Sequence, residues 1–176
     1  LLLGGGTTKI GDPSGKDESR TLLYDEDILK NKESIQNIFN NFMSIEEDFD
    51  PLTSNAFVVD NARWLNNLNY IDFLREYGRH FSINRMLSRE SVKLRLDREH
   101  HLSFLEFNYM ILQAYDFVCL YDHYDCRVQI GGSDQWGNIV GGIELQHQVS
   151  ALSKDKKNKE DTALDGLTTP LITTSS

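Results

Sequence analysis

Cysteine is scarce: Cys119 and Cys126 are the only two in 176 residues. Two cysteines do not build a disulfide framework, so a reducing compartment is the simpler expectation. No run of 18 apolar residues occurs, and no membrane span is expected. No signal or transit peptide is visible. The chain opens without Met on Leu1-Leu2-Leu3 and stops at Thr-Thr-Ser-Ser, and it is expected to be a fragment. Positive charge is in the minority, with 18 Lys and Arg against 27 Asp and Glu and a net charge of −9. That excludes a nucleic-acid partner held by bulk charge, though not a local basic patch. His100-His101 beside Glu99 resembles no zinc spacing, and the two cysteines add no paired ligands, so no bound metal is expected. Two phosphate-binding loops are missing as well. Gly11 and Gly15 leave only three residues between them, and Asp17 follows Lys16, so a P-loop fails. Gly4-x-Gly6 runs into Thr7, Thr8 and Lys9, so the dinucleotide fingerprint fails.

What is present is 39% hydrophobic and 10% aromatic, enough for one domain with a sizeable core. The most informative stretch is residues 103–120, which reads as a helix with Ser103 as N-cap and Glu106 completing a capping box. It is apolar nearly all round, hence buried. Yet Tyr109, Gln113 and Asp116 recur at spacings of four and three, within a sector of roughly 60°. Either other protein groups or water satisfy this stripe, or it lines a pocket for a polar small molecule.

Elsewhere, Leu1 to Leu3 read as a short buried strand entering the glycine-rich loop Gly4 to Lys16. A doubly wound α/β sheet presents backbone N–H groups to a ligand in this way. Asp12, Lys16 and Arg20 stand in or beside the loop; Asp12-Pro13-Ser14-Gly15 is also an ordinary turn. Residues 25–47 have the period of an amphipathic helix. Ala56 to Val59 read as a strand ending at Asp60-Asn61, with Asn61 either a ligand contact or a cap before Trp64. Residues 70–102 read as three short helices: Tyr70 to Tyr77, Ser82 to Leu87, and a third capped by Ser88. Six Arg and one Lys between Arg75 and Arg98 are read as a solvated surface. A polar turn at 121–125 leads to a strand at 126–130, a glycine turn at 131–138, and a helix. There Asp134 either caps the helix or accepts from ribose hydroxyls. Residues 150–165 read as a charged surface loop, and 167–172 as a last strand.

Three segments in order are Gly11-Asp-Pro-Ser-Gly-Lys16, Leu112-Gln-Ala-Tyr-Asp-Phe117 and Gln129-Ile-Gly-Gly-Ser-Asp-Gln-Trp-Gly-Asn138. Together they resemble the catalytic domain of the tyrosyl-tRNA synthetases of the bacterial and organellar type. The resemblance implies an α/β fold: the Rossmann-like parallel sheet of a class I aminoacyl-tRNA synthetase. Residues 62–102 would be a helical connective and dimer-interface insertion in an incomplete catalytic domain. It implies a homodimeric ligase that activates tyrosine with ATP, taken as its Mg2+ complex, and transfers tyrosine to tRNA(Tyr). By this resemblance, Asp12, Tyr109 and Gln113 match residues holding the substrate ammonium, and Asp116 the carboxylate that meets the phenol. Asn61 and Gln135 match polar residues at the tyrosine pocket, and Gln129 a residue supporting it. Gly132 and Asp134 match contacts to the adenylate ribose, Lys16 and Arg20 cations that meet pyrophosphate, and Phe104 an aromatic in the dimer interface.

The family's upstream HIGH-type motif, downstream KMSKS-type loop and anticodon-binding region are not among these residues. The segment alone is therefore expected to bind poorly and catalyse little. Gly78-Arg-His-Phe81 and Met86 to Val92 look more like mitochondrial members, implying the mitochondrial matrix, with the bacterial cytoplasm as alternative. Two other functions remain open: a non-catalytic RNA-binding or assembly module on the same fold, and a generic nucleotide-binding α/β protein.

Overall fold

The computed structural model describes residues 1–13, 21–46, 50, 55–152 and 163–173. These fall into two compact units, one of residues 1–12 and 21–68, the other of residues from 69 onward.

The first unit is a strand–helix–strand repeat. Strand β1 (Leu2–Leu3) pairs in parallel with β2 (Val59–Asp60), Leu2 opposite Val59 and Leu3 opposite Asp60. Parallel neighbours require a crossover, and helix α1 (Asp25–Phe39) supplies it. Asp25, Glu26 and Asp27 fill the first turn of α1, where carboxylates oppose the helix dipole. This helix is shorter than the hydrophobic period suggested. The chain leaves it at Asn40, turns, and makes a bridge from Glu46 to Phe57. Leu3, Ile28 and Val59 are its buried apolar residues, whereas Ile35, Ile38 and Phe42 are exposed. Helix α2 (Ala62–Leu65) follows β2 directly.

The second unit begins with three short helices, α3 (Tyr70–Glu76), α4 (Ile83–Leu87) and α5 (Glu90–Asp97). Asn69 caps α3 by accepting from the Ile71 and Asp72 amides. Arg89, not Ser88, is the N-cap residue of α5; the Ser88 hydroxyl donates back to the Arg85 carbonyl at 2.8 Å. The central helix α6 (Phe104–Tyr124) starts on the expected capping box, with Ser103 Oγ accepting from the Glu106 amide at 3.1 Å. It continues through the residues expected to turn and stops at Asp125, which takes a left-handed φ of 50°. Strand β3 (Val128–Gly132), helix α7 (Trp136–Leu152) and strand β4 (Asp165–Thr169) form a second strand–helix–strand repeat, the strands again parallel. Strand β3 lies two residues later than expected, so Gly131 and Gly132 end a strand instead of forming the turn, and β4 begins two residues earlier than expected and ends three earlier. Of the expected charged loop at 150–165, residues 150–152 finish α7 and Asp165 opens β4. Its lysine-rich part, 153–162, lies outside the described residues.

Helices α6 and α7 pack along each other. A Cβ on Gly142 would lie 2.9 Å from the Phe117 side chain, so glycine is what lets the two backbones approach this closely. Phe117, Ala114, Val118, Ile139 and Leu145 are buried around that contact.

The arginine-rich stretch is a solvated face in most of its length, with Arg75, Arg79, Arg85, Lys93 and Arg98 exposed, but Arg95 departs from it. Arg95 is 1% exposed and pairs with Glu106, itself 2% exposed, at 3.1 Å. Arg95 also donates to the His101 carbonyl at 2.6 Å. Arg89 donates to the Gly137 carbonyl at 2.6 Å, and Arg85 pairs with Glu144 at 2.6 Å. These arginines tie the short helices to α6 and α7. Only Arg95 is withdrawn from solvent; Arg89 is half-buried and Arg85 stays exposed while paired.

Candidate functional site

In the first unit the glycine loop is held to the carboxyl end of β2. Asn61, 1% exposed, accepts from the Gly6 amide at 2.7 Å and the Thr7 amide at 3.3 Å, and donates to Thr7 Oγ1 at 2.9 Å. Neither sequence reading of Asn61 anticipated this: it makes no side-chain cap to α2, and it fastens the loop. Asp60 does the same from the preceding position. Its carboxylate accepts from the Gly5 amide at 3.1 Å and the Ala62 amide at 2.9 Å, and forms an ion pair with Lys32. A Cβ on Gly5 would collide with that carboxylate, so the close approach requires glycine here. Sequence reasoning missed Asp60; its position at a parallel strand's carboxyl end was the available signal. Asp12 is half-buried at the end of this loop. Lys16 and Arg20 lie outside the described residues.

The second unit carries the stripe. Asp116 is 2% exposed, while Tyr109 and Gln113 are half-buried on the same side of α6. Gln113 Nε2 donates to Gln135 Oε1 at 3.3 Å. Gln135 sits in a 3-10 turn, Ser133–Gln135, that joins β3 to α7. The same oxygen accepts from Asn138 Nδ2 at 3.2 Å, and Gln135 Nε2 donates to Asp134 Oδ2 at 3.1 Å. Asp134 is therefore exposed in the turn instead of capping α7. Gly132 ends β3 beside it. Gln129 lies in β3 on the face it shares with Gly131. The structure thus joins Gln113, Gln135 and Asp134 through direct hydrogen bonds and adds Asn138, which sequence reasoning did not single out.

Two acceptors stand out. The buried side-chain oxygens of Gln113 and Gln129 have no hydrogen-bond partner among the described residues. A buried unpaired acceptor costs about 1–3 kcal/mol, so the arrangement gains when an N–H or O–H donor arrives. The stripe is thus satisfied only in part by the protein.

Behind it, Tyr115 stacks edge-on to Phe73 with ring centres 5.3 Å apart, and Tyr77 lies 4.6 Å from Tyr115. Burial pushes the Tyr115 phenol up, and hydrogen bonding to Cys119 adds to this. Burial also pushes the Cys119 thiol up to about 12. At pH 8 its thiolate fraction is about a thousandfold below that of an ordinary thiol, and alkylation of the folded protein by iodoacetamide is expected to slow in proportion. The folded pKa is raised, so Cys119's contribution to stability is intact below pH 9 and is lost as pH rises from 9 towards 12. Denaturant midpoints at pH 8 and 10.5 check this; the second should be lower.

A cleft lies elsewhere in this unit, between α4 and α7, with Phe81, Ser82, Arg85, Arg89, Glu144 and Gln148 in its wall. None of the expected site residues lines it. Among the described residues no cluster of three His, Cys, Asp or Glu could hold a metal, and no helix is long and apolar enough to cross a membrane.

Parallel strands, one running into a fastened glycine loop and another ending beside a polar stripe on a buried helix, define an α/β ligand-binding fold of the Rossmann kind. The chain belongs to the family described as tRNA synthetases class I (W and Y), whose pattern matches residues 1–176. Proteins called tyrosine–tRNA ligase from Rickettsia felis and Rickettsia bellii are each 54% identical over 176 residues, 100% of this chain and 39% of theirs. The structure of a C-terminally truncated Aspergillus nidulans mitochondrial tyrosyl-tRNA synthetase superimposes with a TM-score of 0.76 at 31% identity, covering 98% of this chain and 51% of that one. The corresponding Coccidioides posadasii structure gives 0.77 at 30% identity, covering 98% and 49%. The chain therefore spans about 39% of the length of the curated relatives it matches.

Proposed function

We propose that these residues are part of the tyrosine-activating domain of a tyrosine–tRNA ligase. The observation that carries this is the stripe on α6, where a carboxylate 2% exposed shares a face with an amide whose buried oxygen lacks a partner among the described residues. Tyrosine presents a phenol donor at one end and an ammonium at the other, complementary to Asp116 and to Gln113 with Tyr109. Gln129 and Gln135 add to the amino-acid contacts within the second unit; in the first unit Asp12 and Asn61 are the residues assigned to tyrosine, Asn61 acting through the loop it fastens. Gly132 and Asp134 would meet the ribose of ATP. The relatives at 54% identity support the same substrate.

The reaction is an in-line attack by the tyrosine carboxylate on the α-phosphorus of ATP, with pyrophosphate leaving. Positioning and charge stabilisation supply the rate, so no enzyme nucleophile is needed. Mg2+ travels with ATP as part of the substrate, and Lys16 and Arg20 would meet the departing pyrophosphate. The product is tyrosyl-adenylate, from which tyrosine passes to tRNA(Tyr). Phe104, 71% exposed at the start of α6, suits a two-fold contact between copies, and residues 62–102 the helical insertion that borders it. Two mitochondrial structures support the mitochondrial matrix, and the more similar Rickettsia proteins support a bacterial cytoplasm; cell fractionation decides between them. The test is tyrosine-dependent ATP–pyrophosphate exchange by the whole protein as it occurs in the cell. Exchange is expected with tyrosine and far less with phenylalanine, and absence of the tyrosine-dependent exchange overturns the reading.

A further inference from the structure

The Gln135 amide has a defined orientation. Its oxygen receives two N–H donors, from Gln113 at 3.3 Å and Asn138 at 3.2 Å, and its nitrogen faces Asp134 Oδ2 at 3.1 Å. Turning the amide over would set N–H against N–H twice and oxygen against a carboxylate. The orientation therefore depends on both donors. Gln113 comes from α6 and Asn138 from the first turn of α7, so the two helices meet on one oxygen.

We propose that Gln135 is a bridge that couples the amino-acid stripe to the ribose carboxylate, and that Asn138 is the positioning residue that holds it in register. The proposal rests on the ligase reading above, because it takes Gln113 as a tyrosine contact and Asp134 as a nucleotide contact. When Gln113 engages an ammonium through its free oxygen, its nitrogen is fixed towards Gln135. Gln135 then presents N–H to Asp134 and leaves the other carboxylate oxygen, Oδ1, directed to the ribose. Linkage makes the effect reciprocal, so nucleotide at Asp134 favours the Gln113 orientation that receives tyrosine. Asn138 touches neither substrate in this scheme. It acts by supplying the second of the two donors that hold the Gln135 oxygen.

The test is steady-state pyrophosphate exchange by the whole protein carrying Asn138→Ala, Gln135→Ala, and both. Asn138→Ala is expected to raise KM for tyrosine and for ATP together by about three- to tenfold, the effect of one hydrogen bond, with kcat changed less. On the Gln135→Ala background the same substitution is expected to change either KM less than about twofold, because the residue it positions is gone. Asn138→Asp keeps the shape and removes the donor, and it is expected to be at least as damaging as alanine. Equal factors on both backgrounds, a change in one KM alone, or an Asn138→Asp protein that behaves like the unaltered one overturns the bridge. Absence of tyrosine-dependent exchange in the unaltered protein overturns instead the ligase reading on which it rests.

Discussion

Replacing Asp116 by Asn will lower kcat/KM for tyrosine in the whole protein about 10- to 100-fold and leave phenylalanine little changed. Asp116 is 2% exposed, so its carboxylate meets little water whether or not substrate is bound. A phenol donating to such a carboxylate forms a charge-assisted bond, worth roughly twice a neutral one. Loss of a hydrogen bond to a charged group costs about 1.5–3 kcal/mol, which sets the 10- to 100-fold range. The amide keeps the shape and one acceptor, so folding should persist and the loss should fall on the phenol contact. Phenylalanine never makes that contact, and its turnover reports what the substitution does to everything else. ATP–pyrophosphate exchange with each amino acid measures both. If ATP binding weakens as much as tyrosine discrimination does, Asp116 does not face the phenol.

The helix that carries Asp116 was the most legible part of the chain. Ser103 and Glu106 mark its start by local chemistry alone, and the capping box forms between groups three residues apart. Its polar stripe is likewise a matter of spacing along one helix. Errors arose where the deciding interaction was distant in sequence. Asn61 stands at the end of a strand and before Trp64, which suggests a ligand contact or a cap; the cap is not made, and the side chain reaches Gly6 and Thr7, more than fifty residues earlier. The displaced strands have a similar cause. Glycines at 131–132 suggested a turn, but each pairs with a residue of β4, Thr168 or Thr169, and the ladder extends the strand through them. Arginine by itself says surface, and Arg95 is buried because Glu106 is there to receive it. The hydrophobic period at 25–47 overstated a helix that ends at Phe39, since the residues beyond it bend back to form the Glu46–Phe57 bridge. Asn138 carries no signal of its own in the sequence, because its contact is with the Gln135 side chain, whose orientation spacing does not report.

Arg95→Met is expected to destabilise the second unit by about 3–5 kcal/mol. The guanidinium is 1% exposed and serves both Glu106 oxygens, at 3.1 and 3.2 Å, together with the His101 carbonyl. Removing it takes the guanidinium from a carboxylate that is 2% exposed, with the Ser103 amide and hydroxyl, at 3.2 and 2.9 Å, among its remaining contacts. Breaking a buried pair from one side costs more than the pair contributes, because the remaining charge has no solvent to return to. Glu106→Gln in the same protein should therefore recover much of the loss: the amide oxygen can still accept from Ser103, and no charge is stranded. Urea denaturation of the single and double variants measures the coupling. A double variant as unstable as Arg95→Met alone would mean that the lost packing of the arginine stem, not the stranded charge, sets the cost. The pair also bears on the site. Glu106 lies three residues before Tyr109 on α6, so Arg95 anchors the turn from which the stripe begins. Arg95→Lys keeps a charge but not the planar guanidinium whose Nη2 meets both carboxylate oxygens and the His101 carbonyl, and it is expected to fall between the unaltered protein and Arg95→Met. Fraying of that first turn would reach Tyr109 before Gln113 or Asp116. A KM for tyrosine that rises in Arg95→Lys, while discrimination against phenylalanine holds, is the expected kinetic signature of an anchor at the ammonium end.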